Sequence, residues 1–395
     1  MVARRTSVFR FRIPKTVYVP AIICICTYLV FETAVSLLYL ADVIERPASI
    51  WLFEDSGRTV HFDAVRGYRL TTTRSRITRI TMGTVEYVGA LRGNNQGFPD
   101  RDDFYPQRGS DGGKRFAVFG DSYTAAQFLD ENWPDEVEDL SRNDPVRLHL
   151  LNFSADGGGL ANWWSVLTRF VEHDGYEIDG VIFAIIPGDL WRRFSIADHQ
   201  GQDRPMFGRI PSWDPGTFPA TLERAREYLR PQTSNGYIVS TDEFDRALNH
   251  TWRPSAKKPV RLYFAWKLWT ALKKRSSLES QPAPPPKAFD PFDPGQEWMI
   301  EDMARSVKTM NVPVMVVHVP SREELLEGNV GAPPPVDARL FASILDARLV
   351  DGKQAFAGRS HEEIRALWLP YDAHWGQTGS NSFGQYMAKV LADWP

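Results

Sequence analysis

The chain has 395 residues, 43% hydrophobic and 24% charged, which bounds it as one large or two ordinary globular domains and excludes global disorder. Its 46 basic against 49 acidic residues leave a net charge of −3, which gives no general case for nucleic-acid binding. The only two cysteines, Cys24 and Cys26, share one apolar stretch near the amino terminus, so the rest of the chain has neither a disulfide nor a catalytic thiol.

Residues 1–16 form a basic tail carrying Arg4, Arg5, Arg10, Arg12 and Lys15 with no acidic residue. Residues 17–41, which follow, are apolar apart from one charge, Glu32. About 20 apolar residues cross a bilayer, so this pattern predicts a single transmembrane helix. A carboxylate near mid-membrane is costly, and Glu32 would be protonated, drawn to an interface or given a polar partner. A cleaved signal peptide is the competing reading, but its apolar region is usually shorter and Tyr39-Leu40-Ala41 has no small-x-small cleavage site. By the positive-inside rule the expectation is a single-pass protein of the cell inner membrane, with everything after residue 42 periplasmic or extracellular.

Residues 42–114 are rich in Thr, Arg and Gly, with alternating pieces at 59–62 and 84–88 and a loop at 92–98. They predict a small β-rich lead-in. From Arg115 strands alternate with helices: strands over 115–119, 146–153, 180–186, 312–319 and 347–350, helices over 160–173, 297–310, 337–345 and 380–391. Continuous Val, Ile, Leu and Phe strands between helices imply a parallel sheet covered on both faces.

Between about 195 and 295 the alternation breaks down, and an insertion of this size at a sheet edge is where substrate-shaping lids are built. It holds a helix candidate over 259–275, in which Arg261, Lys267, Lys273, Lys274 and Arg275 lie beside Tyr263, Phe264, Trp266 and Trp269. That helix could touch anionic lipid or an acidic polymer, or be a solvated basic face over packed aromatics. The proline run at 281–286 reads as a stiff extended spacer.

Two short stretches carry the chemistry. Gly120-Asp121-Ser122 ends a buried strand and opens a helix, which places Ser122 at the carboxyl end of a strand, where open α/β sheets hold their ligands. The same residues also fit an ordinary N-cap turn. Near the other end, Asp372 and His374 are two apart, a spacing that projects both side chains to one side of an extended loop. A serine is a weak nucleophile until a base takes its proton, histidine does this near neutral pH, and a carboxylate fixes the imidazole tautomer. Asp-x-His also occurs as a metal-ligand pair or as an ordinary polar loop.

Together these stretches resemble the SGNH (GDSL-type) hydrolase superfamily. Gly120-Asp121-Ser122 is similar to its first block, with Ser122 as nucleophile, and residues 152–159 resemble the second, whose glycine, best matched by Gly157, lends an N–H to the oxyanion hole beside that of Ser122. Asp372-Ala373-His374-Trp375 resembles the last block. Its spacing is closer to the alginate O-acetyltransferase-like, cell-envelope glycan acyltransferase branch than to the Asp-x-x-His of lipases and esterases. The resemblance covers about residues 92–395 and leaves the insertion unmatched. It implies a flavodoxin-like three-layer α/β/α sandwich with a parallel sheet over 115–395, and a Ser122, Asp372, His374 triad that needs no cofactor or metal. The third block departs: the family's Gly-x-Asn-Asp is replaced by Ile185-Ile186-Pro187-Gly188-Asp189-Leu190, in which either Gly188 stands in the asparagine's position or the asparagine is deleted. Losing one oxyanion donor costs about 2.7–4 kcal/mol in the transition state, and Asn162, Arg192 and Asn152 are the candidates to replace it.

The resulting expectation is a membrane-anchored, extracytoplasmic serine esterase or O-acyltransferase acting on O-acyl groups, acetyl foremost, of an envelope glycan or exopolysaccharide. A membrane protein supplying the acyl group is the partner this would call for, with no role for nucleic acid. Trp163, Trp164, Trp191, Trp213, Trp252 and Trp375 are available either to stack on sugar rings or to pack core and lid. Two other expectations stay open: a catalytically weak carbohydrate-binding or polysaccharide-assembly protein that keeps the fold, motivated by the altered third block, and a lipid or general carboxylester hydrolase, motivated by the anchor alone.

Overall fold

The structure is a computed structural model that describes residues 15–40, 49–55, 59–81, 84–110, 112–199, 206–210, 216, 218–231, 236–249 and 295–394. The basic helix expected over 259–275, the proline run and the tryptophans Trp213 and Trp252 lie outside the described residues. The chain divides into two compact units, residues 1–47 with 253–287 and residues 48–252 with 288–395.

In the first unit the described residues form one helix, α1 (Lys15–Leu40), with Pro20 inside it. The apolar stretch is therefore helical as expected. Its reading as a transmembrane span is not supported: among the described residues no helix is long and apolar enough to cross a membrane.

In the second unit the lead-in supplies β1 (Ile50–Glu54), β2 (Val60–Asp63), β3 (Gly67–Leu70), β4 (Ser75–Thr81) and β5 (Thr84–Leu91). Then come β6 (Lys114–Phe119), α2 (Ser122–Ala125), α3 (Trp133–Ser141), β7 (Leu148–Asn152), α4 (Leu160–Val166) and β8 (Gly180–Ile185). The insertion follows with β9 (Ser195–Asp198), β10 (Met206–Arg209), α5 (Leu222–Ala225), β11 (Arg230–Pro231), β12 (Gly236–Val239) and α6 (Thr241–Leu248). The alternation resumes with α7 (Glu297–Met310), β13 (Val314–His318), α8 (Arg322–Leu326), α9 (Val336–Ile344), β14 (Arg348–Asp351), α10 (His361–Leu367) and α11 (Gln377–Ala392).

Five strands form one sheet in the order β7-β6-β8-β13-β14, and every neighbouring pair is parallel. The hydrophobic runs are continuous because alternate residues serve opposite faces. Ala117, Phe119, Val181, Phe183 and Val316 pack against Trp163 of α4, Met303 of α7 and Phe341 of α9. Phe116, Val118, Ile182, Met315 and Val317 pack against Trp133 of α3, Leu367 of α10 and Phe383 and Met387 of α11. The result is the expected three-layer α/β/α sandwich. The expected helix over 160–173 is α-helical only to Val166 and continues as a π-helix over Leu167–Glu172.

The lead-in is not a separate β unit. β1 pairs in parallel with β12 of the insertion, Trp51 opposite Gly236, and the second sheet runs β12-β1-β4-β5. The β2-β3 hairpin is tied to β9 of the insertion by the N–H of His199 on the carbonyl of Val60 and by the N–H of Phe62 on Asp198 Oδ1. Strands this short cannot bury a face alone. The lead-in and the insertion complete each other's sheets.

Candidate active site

The chain leaves β6 to form β7 on one side and returns to form β8 on the other, so the carboxyl end of β6 is the point where the sheet's winding direction reverses. Ser122 sits there. The turn is tight: a Cβ on Gly120 would lie 2.3 Å from Thr124 Oγ1, so the position requires glycine. Two tryptophans hold the turn, Trp163 Nε1 donating to the Gly120 carbonyl at 3.0 Å and Trp133 Nε1 to Thr124 Oγ1 at 3.3 Å. Asp121, not Ser122, is the N-cap of α2: its Oδ1 accepts from the Tyr123 N–H at 2.9 Å. This leaves the Ser122 hydroxyl free of capping, and it lies 2.7 Å from His374 Nε2.

His374 lies on a loop closed by the bridge between Trp368 and Trp375, with the Leu369 N–H donating to the His374 carbonyl at 2.9 Å. Its ring is held between Tyr123 and Phe128, each with its ring centroid 4.7 Å away. The Tyr123 hydroxyl donates to the Ala373 carbonyl and so ties this loop to the turn that carries Ser122. Asp372 Oδ1 accepts from the His374 main-chain N–H at 3.0 Å and is bonded to Nδ1 of its ring. That contact leaves Nε2 as the acceptor that faces Ser122. Burial lowers the His374 pKa below its usual value, and Arg192 and Arg79 act the same way against the carboxylates of Asp121 and Asp156. The imidazole is therefore neutral, and able to take a proton, at neutral pH.

Ser122, His374 and Asp372 open into a cavity of about 200 Å³ whose other walls are largely apolar. Trp51, Phe53, Ile77, Tyr87 and Leu91 come from the lead-in strands, and Gln127, Phe128, Asp156 and Phe207 complete the lining. Among the described residues the tryptophan in this site is Trp51, not Trp163, Trp164, Trp191 or Trp375. Trp163, Trp164 and Trp375 are buried in the two cores, and Trp191 is exposed but does not line the cavity. The role of the lead-in was missed because its short alternating strands carry no signal for where they dock.

The oxyanion side differs most from expectation. Gly157 has φ +68°, and its carbonyl accepts from Ser195 Oγ at 2.7 Å. Its N–H, expected to face an oxyanion, favours the ionised form of the neighbouring Asp156. Burial pushes the Asp156 pKa up, as does Asp121, against His374 and Arg192.

Two of the three candidate replacement donors serve the fold instead. Asn162 donates to the carbonyls of Arg66 and Ser195 and accepts from the Ser195 N–H. Asn152, fully buried, donates to the carbonyls of Pro99 and Thr124. Arg192 does reach the turn that carries Ser122, with Nη1 3.0 Å from Asp121 Oδ2, 2.9 Å from the Gly158 carbonyl and 3.1 Å from Asp189 Oδ1. In the third block Gly188 has φ +91°, and a Cβ there would meet nothing within 4 Å. Asp189 beside it is buried and accepts from the Ile186 N–H at 3.0 Å.

No protein-family model matches the sequence, and no curated protein does. Solved structures that are similar include the lipase/acylhydrolase from Enterococcus faecalis, 10% identical, covering 70% of this chain and 95% of that one with a TM-score of 0.34. An acetylxylan esterase from Geobacillus stearothermophilus is 12% identical, with 71% and 94% covered and a TM-score of 0.34. An esterase of the SGNH-hydrolase family is 12% identical, with 73% and 100% covered and a TM-score of 0.30. Likeness this distant decides nothing about this chain's chemistry, which rests on its own side chains.

Proposed function

We propose that this chain is an SGNH-type serine esterase or O-acyltransferase that acts on O-acyl groups, acetyl foremost, of an envelope glycan or exopolysaccharide. The observation that carries this reading is the 2.7 Å contact between Ser122 Oγ and His374 Nε2, with Asp372 on the far nitrogen of the same ring. His374 takes the proton as Ser122 Oγ attacks the ester carbonyl, and Asp372 stabilises the imidazolium that forms. The tetrahedral oxyanion is received by the N–H groups of Ser122 and Gly157. His374 then returns its proton to the departing alcohol, leaving an acyl-enzyme. Attack on that intermediate by water gives hydrolysis, and attack by a sugar hydroxyl gives transfer.

The aromatic wall of Trp51, Phe53, Tyr87 and Phe128 supports a substrate that offers a flat apolar face, as a sugar ring does. The branch that uses the Asp-x-His spacing supports the glycan acyltransferase form of the proposal. Membrane anchoring through residues 17–41 is part of the proposal on the strength of the sequence alone, the basic tail followed by a stretch with one charge, since no helix among the described residues has the length and apolarity of a span. A reporter fused after Pro395 is then active outside the cytoplasm. Activity confined to the cytoplasm would contradict that topology.

A second reading, a carbohydrate-binding or assembly protein with little turnover, is favoured by a third block that lacks the family's asparagine. The test is to incubate the full-length chain in detergent with an acetylated oligosaccharide and a deacetylated acceptor, then to measure free acetate and acetylated acceptor. Either product supports the enzyme. Oligosaccharide binding without either product supports the second reading.

A further inference from the structure

Arg79 belongs to β4, far in sequence from the catalytic loop, yet its guanidinium is bonded to Oδ2 of Asp372, the carboxylate oxygen that His374 does not use. The strand is built to deliver it. The β4–β5 ladder shifts register between Arg79 and Ile80: Arg79 pairs with Tyr87 and Ile80 with Val85, which leaves Glu86 as the extra residue. A bulge of this kind re-aims the side chains around it. Here it brings Glu86 beside Arg79, with Oε2 3.3 Å from Arg79 Nε, while Oε1 accepts from the main-chain N–H of Tyr371 at 2.8 Å. Arg79 Nη2 donates to Ser49 Oγ at 2.9 Å, and the guanidinium carbon lies 4.8 Å from the centre of the Trp51 ring, one wall of the cavity. The Glu86 side chain has no exposure and that of Arg79 13%, so little water screens these contacts.

We propose that Arg79 is a positioning residue for the triad carboxylate, and that the lead-in sheet, through the bulge at Arg79 and Glu86, holds the loop of Asp372 and His374 in its reactive geometry. The inference rests on reading Ser122, His374 and Asp372 as a working triad. A fork that reaches Ser49, Glu86 and Asp372 at once fixes the rotation of the Asp372 carboxylate, and so the direction in which His374 Nε2 points. The charged groups acting on His374 are Asp372, Asp121 and Asp156, which favour its protonated form, and Arg192 and Arg79, which oppose it. Removing the Arg79 charge therefore raises the pH at which His374 loses its proton.

The experiment compares full-length wild type, Arg79→Gln, Arg79→Lys and Ser122→Ala with p-nitrophenyl acetate across pH, alongside thermal unfolding. Arg79→Gln is expected to lower kcat by about 10²-fold with little change in KM, the scale of a misplaced catalytic group. The acid limb of its rate profile moves to higher pH. Arg79→Lys, which keeps the charge without the fork, lowers kcat less and leaves the limb in place. A folded Arg79→Gln with wild-type kcat, or with reduced kcat and an unmoved acid limb, overturns the proposal. If Arg79→Gln does not fold, wild-type kcat in Arg79→Lys overturns it. Should Ser122→Ala retain the activity, it is the triad that fails, and with it the premise; loss in Ser122→Ala beside unchanged Arg79 variants refutes only the role of Arg79.

Discussion

Ser122→Ala is expected to lower turnover of p-nitrophenyl acetate by a factor on the order of 10⁶, the scale seen when the nucleophile of a serine triad is removed. The fold should not change with it. Asp121 provides the cap of α2 through the Tyr123 N–H, Trp163 and Trp133 fix the turn, and alanine suits the first turn of a helix. The variant should therefore unfold at the wild-type temperature and still bind an oligosaccharide. Turnover equal to wild type, measured on chain freed of contaminating esterase, would sink the assignment of Ser122.

Asp372→Asn should be the next most damaging change, with kcat falling by about 10⁴. Asp372 orients His374 through Oδ1, which meets both the main-chain N–H and the ring Nδ1, while Oδ2 is held by Arg79. An amide cannot satisfy all three: whichever way it turns, an NH₂ group faces either the guanidinium or the imidazole. With the amide donating to Nδ1, Nε2 carries the proton and cannot act as the base toward Ser122. The loss should appear in the acylation rate with KM little changed, as single-turnover kinetics would show. A fall in affinity at constant kcat would mean instead that Asp372 serves substrate binding.

These two residues could be found in the sequence because their signals are local. A buried run ending in Gly-Asp-Ser specifies strand, turn and helix within about ten residues, and Asp-x-His puts two side chains on one side of a loop whatever the loop packs against. The parallel sheet was legible for the same reason: each βαβ repeat carries its own hydrophobic period. Arg79, Glu86 and Trp51 had no such signal. Their importance comes from which strand meets which loop, and the bulge that aims Arg79 and Glu86 arises only when β4 and β5 pair. The partnership of β1 with β12 likewise joins segments that no local pattern connects.

The tryptophans show the opposite difficulty. Trp163, Trp164 and Trp375 lie near the motifs in sequence, but a large apolar ring near a sheet is claimed first by the core, and all three are buried there. In the third block the absence of an asparagine was plain, whereas the fate of the candidate replacements was not. Asn162 and Asn152 are drawn into backbone hydrogen bonds because a buried amide must satisfy its own donors before it can serve a substrate.

The most direct test of the central claim is the mass of the full-length chain quenched with acid during turnover of an acetyl ester, followed by peptide mapping. The account predicts a population one acetyl group heavier, with the acetyl on Ser122, absent from Ser122→Ala and present at a far lower rate in Asp372→Asn. Turnover by an unmodified chain, or acetyl on any other residue, would contradict it.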